Sequence, residues 1–229
     1  MAALWCVVPA AGRGTRVGGD CPKQYLPLAG RALMLHTLER LADHPRIGGL
    51  LVVLAADDAR WPGIESLGGK PVRTTVGGGE RADSVLAGLR ALPPEVAEGD
   101  FVLVHDAARP CVRTADIERL IDAAAVGDGG LLGAPLRDTL KRADEHGHSR
   151  LTEPREQRWR AFTPQMFRRG QLVAALAVAA REGVVVSDEA MAMERAGHAP
   201  LLVEGAEDNI KVTTAADFAL AEFLLARTK

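Results

Sequence analysis

Two cations, Arg16 and Lys23, follow closely on a run of small residues, Pro9-Ala10-Ala11-Gly12-Arg13-Gly14-Thr15. Small side chains let backbone N–H groups approach a nucleotide, and the two cations can converge on phosphate. When a phosphate oxygen attacks the α-phosphorus of a nucleoside triphosphate, negative charge builds on the equatorial oxygens and on the departing pyrophosphate. Two fixed cations and a divalent metal would offset that charge, and losing one such stabiliser typically costs about 10²–10³ in rate. In isolation the same loop also reads as a tight turn with solvated cations. It is not a dinucleotide fingerprint, because Val17 stands where that motif needs Gly and no acidic residue ends a second strand about twenty positions on. The P-loop pattern fails as well, since no Gly-Lys-Ser/Thr occurs.

A second constellation is His105-Asp106-Ala107-Ala108-Arg109-Pro110. Asp106 there can orient a sugar hydroxyl, assist a metal or cap a helix, and Arg109 can hold a second phosphate bidentately or lie on the surface. His105 reads as a structural neighbour, because an ionised phosphate nucleophile needs no strong base. His146 and His148 are paired only by sequence and read as solvated turn residues. Cys6, Cys21 and Cys111 are widely spaced, with no CxxC pair, and point to reduced thiols in a cytoplasmic protein, Cys6 on a buried strand.

The frame that must position these residues is legible in the hydrophobic pattern. The 229 residues suit one α/β domain, 1–229, and 47% are hydrophobic while only 4% are aromatic, so Ala, Val and Leu must build the core. Leu4 to Val8, Gly49 to Ala55, Pro71 to Val76, Phe101 to His105, Gly130 to Pro135 and Pro200 to Glu204 read as strands. Helices are expected from Met34 to Ala42, Arg81 to Ala91, through Ile117 to Ala124, Arg169 to Glu182, Asp188 to Ala196 and Thr214 to Ala226. Alternating strand, loop and helix predicts a mainly parallel, doubly wound sheet with ligands beyond the carboxyl ends of its strands. Residues 137–157 break the rhythm and read as a protruding β-hairpin, too poor in apolar residues for its own core and therefore packed on a partner chain. The net charge of -2 gives no general attraction to nucleic acid or anionic membranes. The apolar start lacks a basic flank, which argues against a signal peptide, and no apolar stretch reaches membrane-spanning length.

Taken together, Ala10-Ala11-Gly12, Gly14, Arg16, Pro22-Lys23-Gln24-Tyr25, Glu80-Arg81-Ala82-Asp83-Ser84-Val85, His105 to Pro110, Asp138-Thr139, Thr163-Pro164-Gln165, Asp188-Glu189 and Asp208-Asn209-Ile210-Lys211-Val212-Thr213 resemble the 2-C-methyl-D-erythritol 4-phosphate cytidylyltransferases of the non-mevalonate isoprenoid pathway. The matches run in order across nearly the whole chain. The resemblance implies a Rossmann-like nucleotidyltransferase fold, CTP and a polyol phosphate as substrates, Mg²⁺ or another divalent cation, and a homodimer that shares its active site through the hairpin arm. It implies transition-state stabilisation by Arg16 and Lys23, and positioning of the acceptor phosphate by Arg155 and Lys211. Asp106, Arg109, Thr139, Thr163 and Ser187 would line the acceptor pocket, with Asp106 the candidate for the metal. Ala10, Ala11, Gly12, Gly14, Gly78 and Ser84 would surround the cytidine. Two positions depart from the family: Gly79 stands where Asp is frequent, and Ser187 where Thr is common. Arg158 and Arg160 are alternatives to Arg155. A cytidylyltransferase for another polyol phosphate, such as ribitol 5-phosphate, would use the same loops. A non-catalytic nucleotide sensor would not need both Arg16 and Lys23.

Overall fold

The computed structural model describes residues 4–12 and 21–227. Along the chain run β1 (Leu4–Pro9), a single 3-10 turn (Lys23–Tyr25), β2 (Pro27–Leu28), β3 (Arg31–Ala32), α1 (Leu33–Ala42), β4 (Ile47–Leu54), β5 (Ser66–Leu67), β6 (Lys70–Val76), α2 (Arg81–Arg90) and β7 (Phe101–Val104). They are followed by α3 (Thr114–Ala124), β8 (Gly130–Pro135), β9 (Leu140–Ala143), β10 (Ser149–Glu153), β11 (Trp159–Arg168), α4 (Arg169–Arg181), α5 (Glu189–Arg195), β12 (Leu201–Glu204) and α6 (Ala215–Arg227).

Eight strands form one sheet in the order β12-β8-β11-β7-β1-β4-β6-β5. The run β7, β1, β4 and β6 is parallel, as is the pair β12 and β8. Alternation explains why both faces are covered. On β1, Cys6 and Val8 belong to one apolar cluster while Trp5 and Val7 belong to the other. On β7, Phe101 and Leu103 take the first side, and Val102 and Val104 the second. Helices α1 and α3 cover the first face; α2, α4 and α5 cover the second. Each fully buried aliphatic side chain contributes about 1.5–3 kcal/mol of apolar burial, which is how a core so poor in aromatics holds.

Besides the two-residue strands β2, β3 and β5, the strand the sequence pattern does not reveal is β11. It lies inside the sheet, antiparallel to both β7 and β8. Its register against β8 shifts between Ala161 and Gln165, where Thr163-Pro164 interrupts the ladder. Proline inside a sheet is confined to such irregularities. Thr163 and Gln165 are nonetheless buried, so apolar alternation fails there. Gln165 is satisfied from afar: its Nε2 donates to Asp188 Oδ2 (3.0 Å), and its Oε1 accepts from the Ala190 N–H (2.8 Å).

Among the described residues, strands β9 and β10 pair only with each other, antiparallel, and leave Leu151 exposed. At their turn Asp144 accepts from the backbone N–H groups of His146 and His148, whose rings are exposed. No described helix is long and apolar enough to cross a membrane.

Helix α2 lies close on the sheet because residue 88 is glycine. A Cβ at Gly88 would come within 2.6 Å of Val7 and 2.8 Å of Val53. An exposed helical Gly→Ala change would stabilise by about 1 kcal/mol. Gly88→Ala is expected to do the reverse, lowering stability by about 1–3 kcal/mol through overpacking. Urea unfolding measures the sign, and a stabilised variant would refute the close packing.

Candidate active site

A cleft of about 240 Å³ opens beyond the carboxyl ends of β1 and β7. The chain leaving β1 contributes Pro9 to Gly12, the loop before α2 contributes Gly78 to Glu80 and the start of α2 Arg81, and the chain leaving β7 contributes Asp106 to Ala108. Lys23, Gln24, Ser84 and Lys211 complete the lining. A Cβ at Gly78 would strike Asp83 Cβ at 2.4 Å, so the loop turns tightly there. One at Gly79 would meet nothing within 4 Å, so that position could carry a side chain. The first residues of α2 face the cleft, and the N-terminus of this helix is closed by a capping box of Glu80 and Asp83. Ser84 Oγ is engaged with the Glu80 carbonyl at 3.2 Å.

Lys23 rides on the 3-10 turn, which is fastened on two sides. Buried Gln24 donates from Nε2 to the Ala10 carbonyl at 2.6 Å, joining the turn to the first loop. The Tyr25 hydroxyl donates to Asp58 Oδ2 at 2.8 Å. Asp58 in turn accepts from the N–H groups of Arg60 and Trp61.

Asp106 sits at the centre of the charges. Its Oδ1 accepts from Arg81 Nε at 2.9 Å, and its Oδ2 pairs with Lys211 Nζ at 3.0 Å and, more loosely, with Arg109 Nε at 3.4 Å. Arg81 also grips buried Glu189 through both terminal nitrogens, at 2.6 and 3.2 Å. Burial by itself would raise the Asp106 pKa, but Arg81, Lys211 and Arg109 outweigh it and hold the carboxyl well below its usual range. The Arg81 guanidinium is pushed up in spite of burial, by Glu189 and Asp106. With both oxygens taken by cations, Asp106 does not offer a ready metal ligand. Among the described residues no group of three or more His, Cys, Asp or Glu could hold a metal ion.

Arg109 and Thr163, which the resemblance assigns to the acceptor pocket, lie behind it. Arg109 is buried, donates from Nη1 to the Asn209 carbonyl at 2.7 Å and stacks over Phe162. Thr163 supports Asp106 from below. The Asp106 N–H donates to Thr163 Oγ1 at 3.0 Å. His105 Nε2 faces the Arg109 carbonyl at 3.1 Å, which can only accept, so Nε2 carries the proton. Nδ1 then accepts from the Thr163 hydroxyl at 3.0 Å. Burial pushes the His105 pKa down to about 4, and the imidazole stays neutral as this chain of hydrogen bonds requires.

The remaining assigned residues are dispersed. Thr139, Arg155 and Ser187 are exposed and do not line the cleft. Arg155 donates to the Arg137 carbonyl at the hairpin base, Arg160 pairs with Glu207, and Arg158 packs its backbone against Arg155 and Leu136. Gly14 and Arg16 lie outside the described residues. Four residues of the quoted motifs to which no role was assigned turn out to build the site: Gln24, Arg81, Glu189 and Asn209. Arg81 and Glu189 stand 108 positions apart, and no local pattern joins them.

Residues 4–227 match the family described as IspD: 2-C-methyl-D-erythritol 4-phosphate cytidylyltransferase. The chain belongs to this family. Its relatives include the enzyme of that name from Stenotrophomonas maltophilia (strain K279a), 58% identical over 99% of this chain and 98% of the relative. Another, from Xanthomonas campestris pv. campestris (strain 8004), is 60% identical over 97% of this chain and 84% of the relative. Among solved structures, a 4-diphosphocytidyl-2C-methyl-D-erythritol synthase superposes with a TM-score of 0.85 at 33% identity, covering 98% of this chain and 99% of that one. The Francisella tularensis family member gives 0.84 at 31% identity, covering 97% and 100%. The family is one of nucleotidyltransferases, so the chain is an enzyme with a mixed α/β nucleotidyltransferase fold.

The His105 geometry is open to a direct check. An unfolded histidine takes up its proton near pH 6.5, but the folded His105 does so only near 4. This residue therefore lowers stability as pH falls between those values and has no influence above them. Nitrogen NMR of the imidazoles should show His105 as the neutral Nε2-H tautomer at pH 5.5. A midpoint above 6 would contradict the hydrogen-bond chain.

Proposed function

We propose that this chain transfers the cytidylyl group of CTP to 2-C-methyl-D-erythritol 4-phosphate, giving 4-diphosphocytidyl-2-C-methyl-D-erythritol and pyrophosphate. The observation that carries the reading is a cleft, in a member of this family, that gathers Lys23, Arg81 and Lys211 around small-residue loops. Such a cleft suits a triphosphate meeting a phosphate nucleophile. A lone pair on the acceptor phosphate attacks the α-phosphorus; the new P–O bond forms as the bond to the β-phosphate oxygen breaks, and pyrophosphate leaves with that electron pair. Lys23, with Arg16 as its partner, offsets charge growing at the α-phosphate and the leaving group.

The nucleotide lies along Ala10, Ala11 and Gly12 on one side and Gly78 and Ser84 on the other. A base held by backbone groups is discriminated because the wrong edge leaves them unpaired. Lys211, tethered by Asp106 and partly exposed, meets the acceptor phosphate. CTP enters as its magnesium complex. Mg²⁺ characteristically binds substrate phosphates while keeping several waters, which agrees with an Asp106 already saturated by cations. The free cysteines Cys6, Cys21 and Cys111 favour a cytoplasmic setting.

Pure protein given CTP, Mg²⁺ and a panel of polyol phosphates should release pyrophosphate far faster with methylerythritol phosphate than with ribitol 5-phosphate. Equal rates would overturn the acceptor assignment. Silence with every acceptor, despite CTP binding, would favour a nucleotide sensor.

The hairpin suggests that the working unit is a homodimer. Among the described residues its strands pair only with each other, Leu151 is exposed, and Arg155 at its base does not line the cleft of its own chain. In our reading Arg155 holds the acceptor phosphate in the partner's site, together with Thr139; Ser187 lies at the rim. A two-fold dimer makes the exchange reciprocal. Lys23→Ala should lower kcat by about 10²–10³, and Arg155→Ala should also be nearly inactive. Refolded together, half of the dimers are hybrids, each with one site carrying both lesions and one carrying neither, so about a quarter of wild-type activity should return. No recovery in a mixture shown to contain hybrids would rule out the shared site.

A further inference from the structure

A second cavity, of about 610 Å³, shares no lining residue with the reaction cleft. Arg40 from the last turn of α1, Arg113 just before α3, and Arg227 at the end of α6 line it. Phe223 and Leu224 supply an apolar wall, and Asp208 is the one carboxylate among the described lining residues. Arg113 pairs with Asp208, which neutralises one cation. Arg40 and Arg227 form no ion pair with any described residue, and Arg227 stacks over the exposed ring of Phe223 at 5.3 Å. The cavity therefore offers net positive charge beside an exposed aromatic surface, at a volume typical of small-molecule sites. Planar guanidinium forks match phosphate oxygens, and a phosphate between two of them relieves their mutual repulsion.

The position of the cavity matters as much as its charge. Asp208 begins the segment that runs through Asn209 to Lys211. The Asn209 carbonyl accepts from Arg109, its side chain donates to the Thr163 carbonyl at 2.8 Å, and Lys211 reaches Asp106. The Val212 N–H is bound to the Ala108 carbonyl at 2.8 Å. Val212 and Ala108 also pack in one apolar cluster with Ala221, Ile210 and Leu224 of the cavity wall. A ligand that draws Arg113 from Asp208 would thus act on the segment that carries Lys211.

We propose that this cavity binds a small phosphate monoester bearing an apolar group, and that its occupancy alters the affinity of the reaction cleft for the acceptor through residues 208–212. The binding half stands on the cavity alone; the coupling half rests on the acceptor reading given above. Linkage makes the coupling reciprocal.

Hexyl phosphate is a suitable probe for calorimetric titration of the full chain, with inorganic phosphate and hexanol as controls. Binding should saturate, should be weaker for inorganic phosphate, and should be undetectable for hexanol. R40E/R227E should weaken it by about tenfold or more, the loss expected for one charge-assisted contact or above, while keeping wild-type turnover. Lys211→Ala should leave it unchanged. R40Q/R227Q serves the same purpose should charge reversal lower the Tm. Failure to saturate, equal affinity in the double variants, or loss of binding in Lys211→Ala would overturn the site. Saturating hexyl phosphate should shift the acceptor KM severalfold in wild type and not in R40E/R227E. An unshifted wild-type KM would overturn the coupling. Absence of turnover with methylerythritol phosphate under every condition would instead refute the acceptor reading, leaving the calorimetric result to decide the site.

Discussion

A buried negative charge sits in the floor of a cleft built for polyanions, and the remaining charges of the site are arranged around it. Asp106 would repel a phosphate if it stood alone. It instead orients Arg81, Arg109 and Lys211, while Glu189 engages the far side of Arg81. Two carboxylates against three cations leave the cluster positive. Removing such charges from water is costly, and the cost is met only when every oxygen and N–H finds a partner. The geometry comes close to that condition, since both Asp106 oxygens and both Glu189 oxygens are engaged. Lys211 is the member that keeps substantial contact with water, its side chain 40% exposed. It is thereby held in place by a buried anion and still open to a ligand.

The same cluster ties together parts of the chain that are remote in sequence. Arg81 opens α2, Glu189 opens α5, Asp106 and Arg109 follow β7, and Lys211 follows β12. The neutral His105 locks this arrangement from beneath. It links the Thr163 hydroxyl on β11 to the Arg109 carbonyl, and Thr163 accepts the N–H of Asp106. A charged imidazole at this place could not accept from Thr163. Burial and the hydrogen-bond chain therefore demand the same protonation state. Preorganisation of this kind lets the cations act on growing charge without rearranging.

Outside the cleft the molecule follows simpler rules. The sheet is apolar on both faces, and close approach of α2 relies on Gly88. The hairpin follows neither rule. It has no core of its own, and its cross-strand contacts are polar, Arg142 with Glu153 and Lys141 with Thr152. Two-stranded ribbons of this sort are marginal by themselves, which is why its meaning lies with a second chain in our reading.

How much of this was legible in the residues depends on the range of the forces involved. Continuous apolar runs in β1, β4 and β7, helical spacing in α1 to α4 and the turn residues between them are local, so the doubly wound frame and the loops ending its strands could be read directly. The small residues from Ala10 to Gly12 with Lys23 could be read locally as phosphate-binding chemistry, although a tight turn with solvated cations fitted the same residues, and Lys211 was singled out only by the family resemblance. Strand β11 was not legible, because Thr163 and Gln165 are buried polar residues whose partners, Asp106, Asp188 and Ala190, lie elsewhere in the chain. Nor could the sequence separate Lys211, which faces the cleft, from Arg109, which is spent on Asn209 and Phe162. Both are cations beside a motif carboxylate. Only tertiary packing decides which of them is buried, since desolvation and ion pairing are set by the loops that converge in space and not by the spacing of residues along the chain.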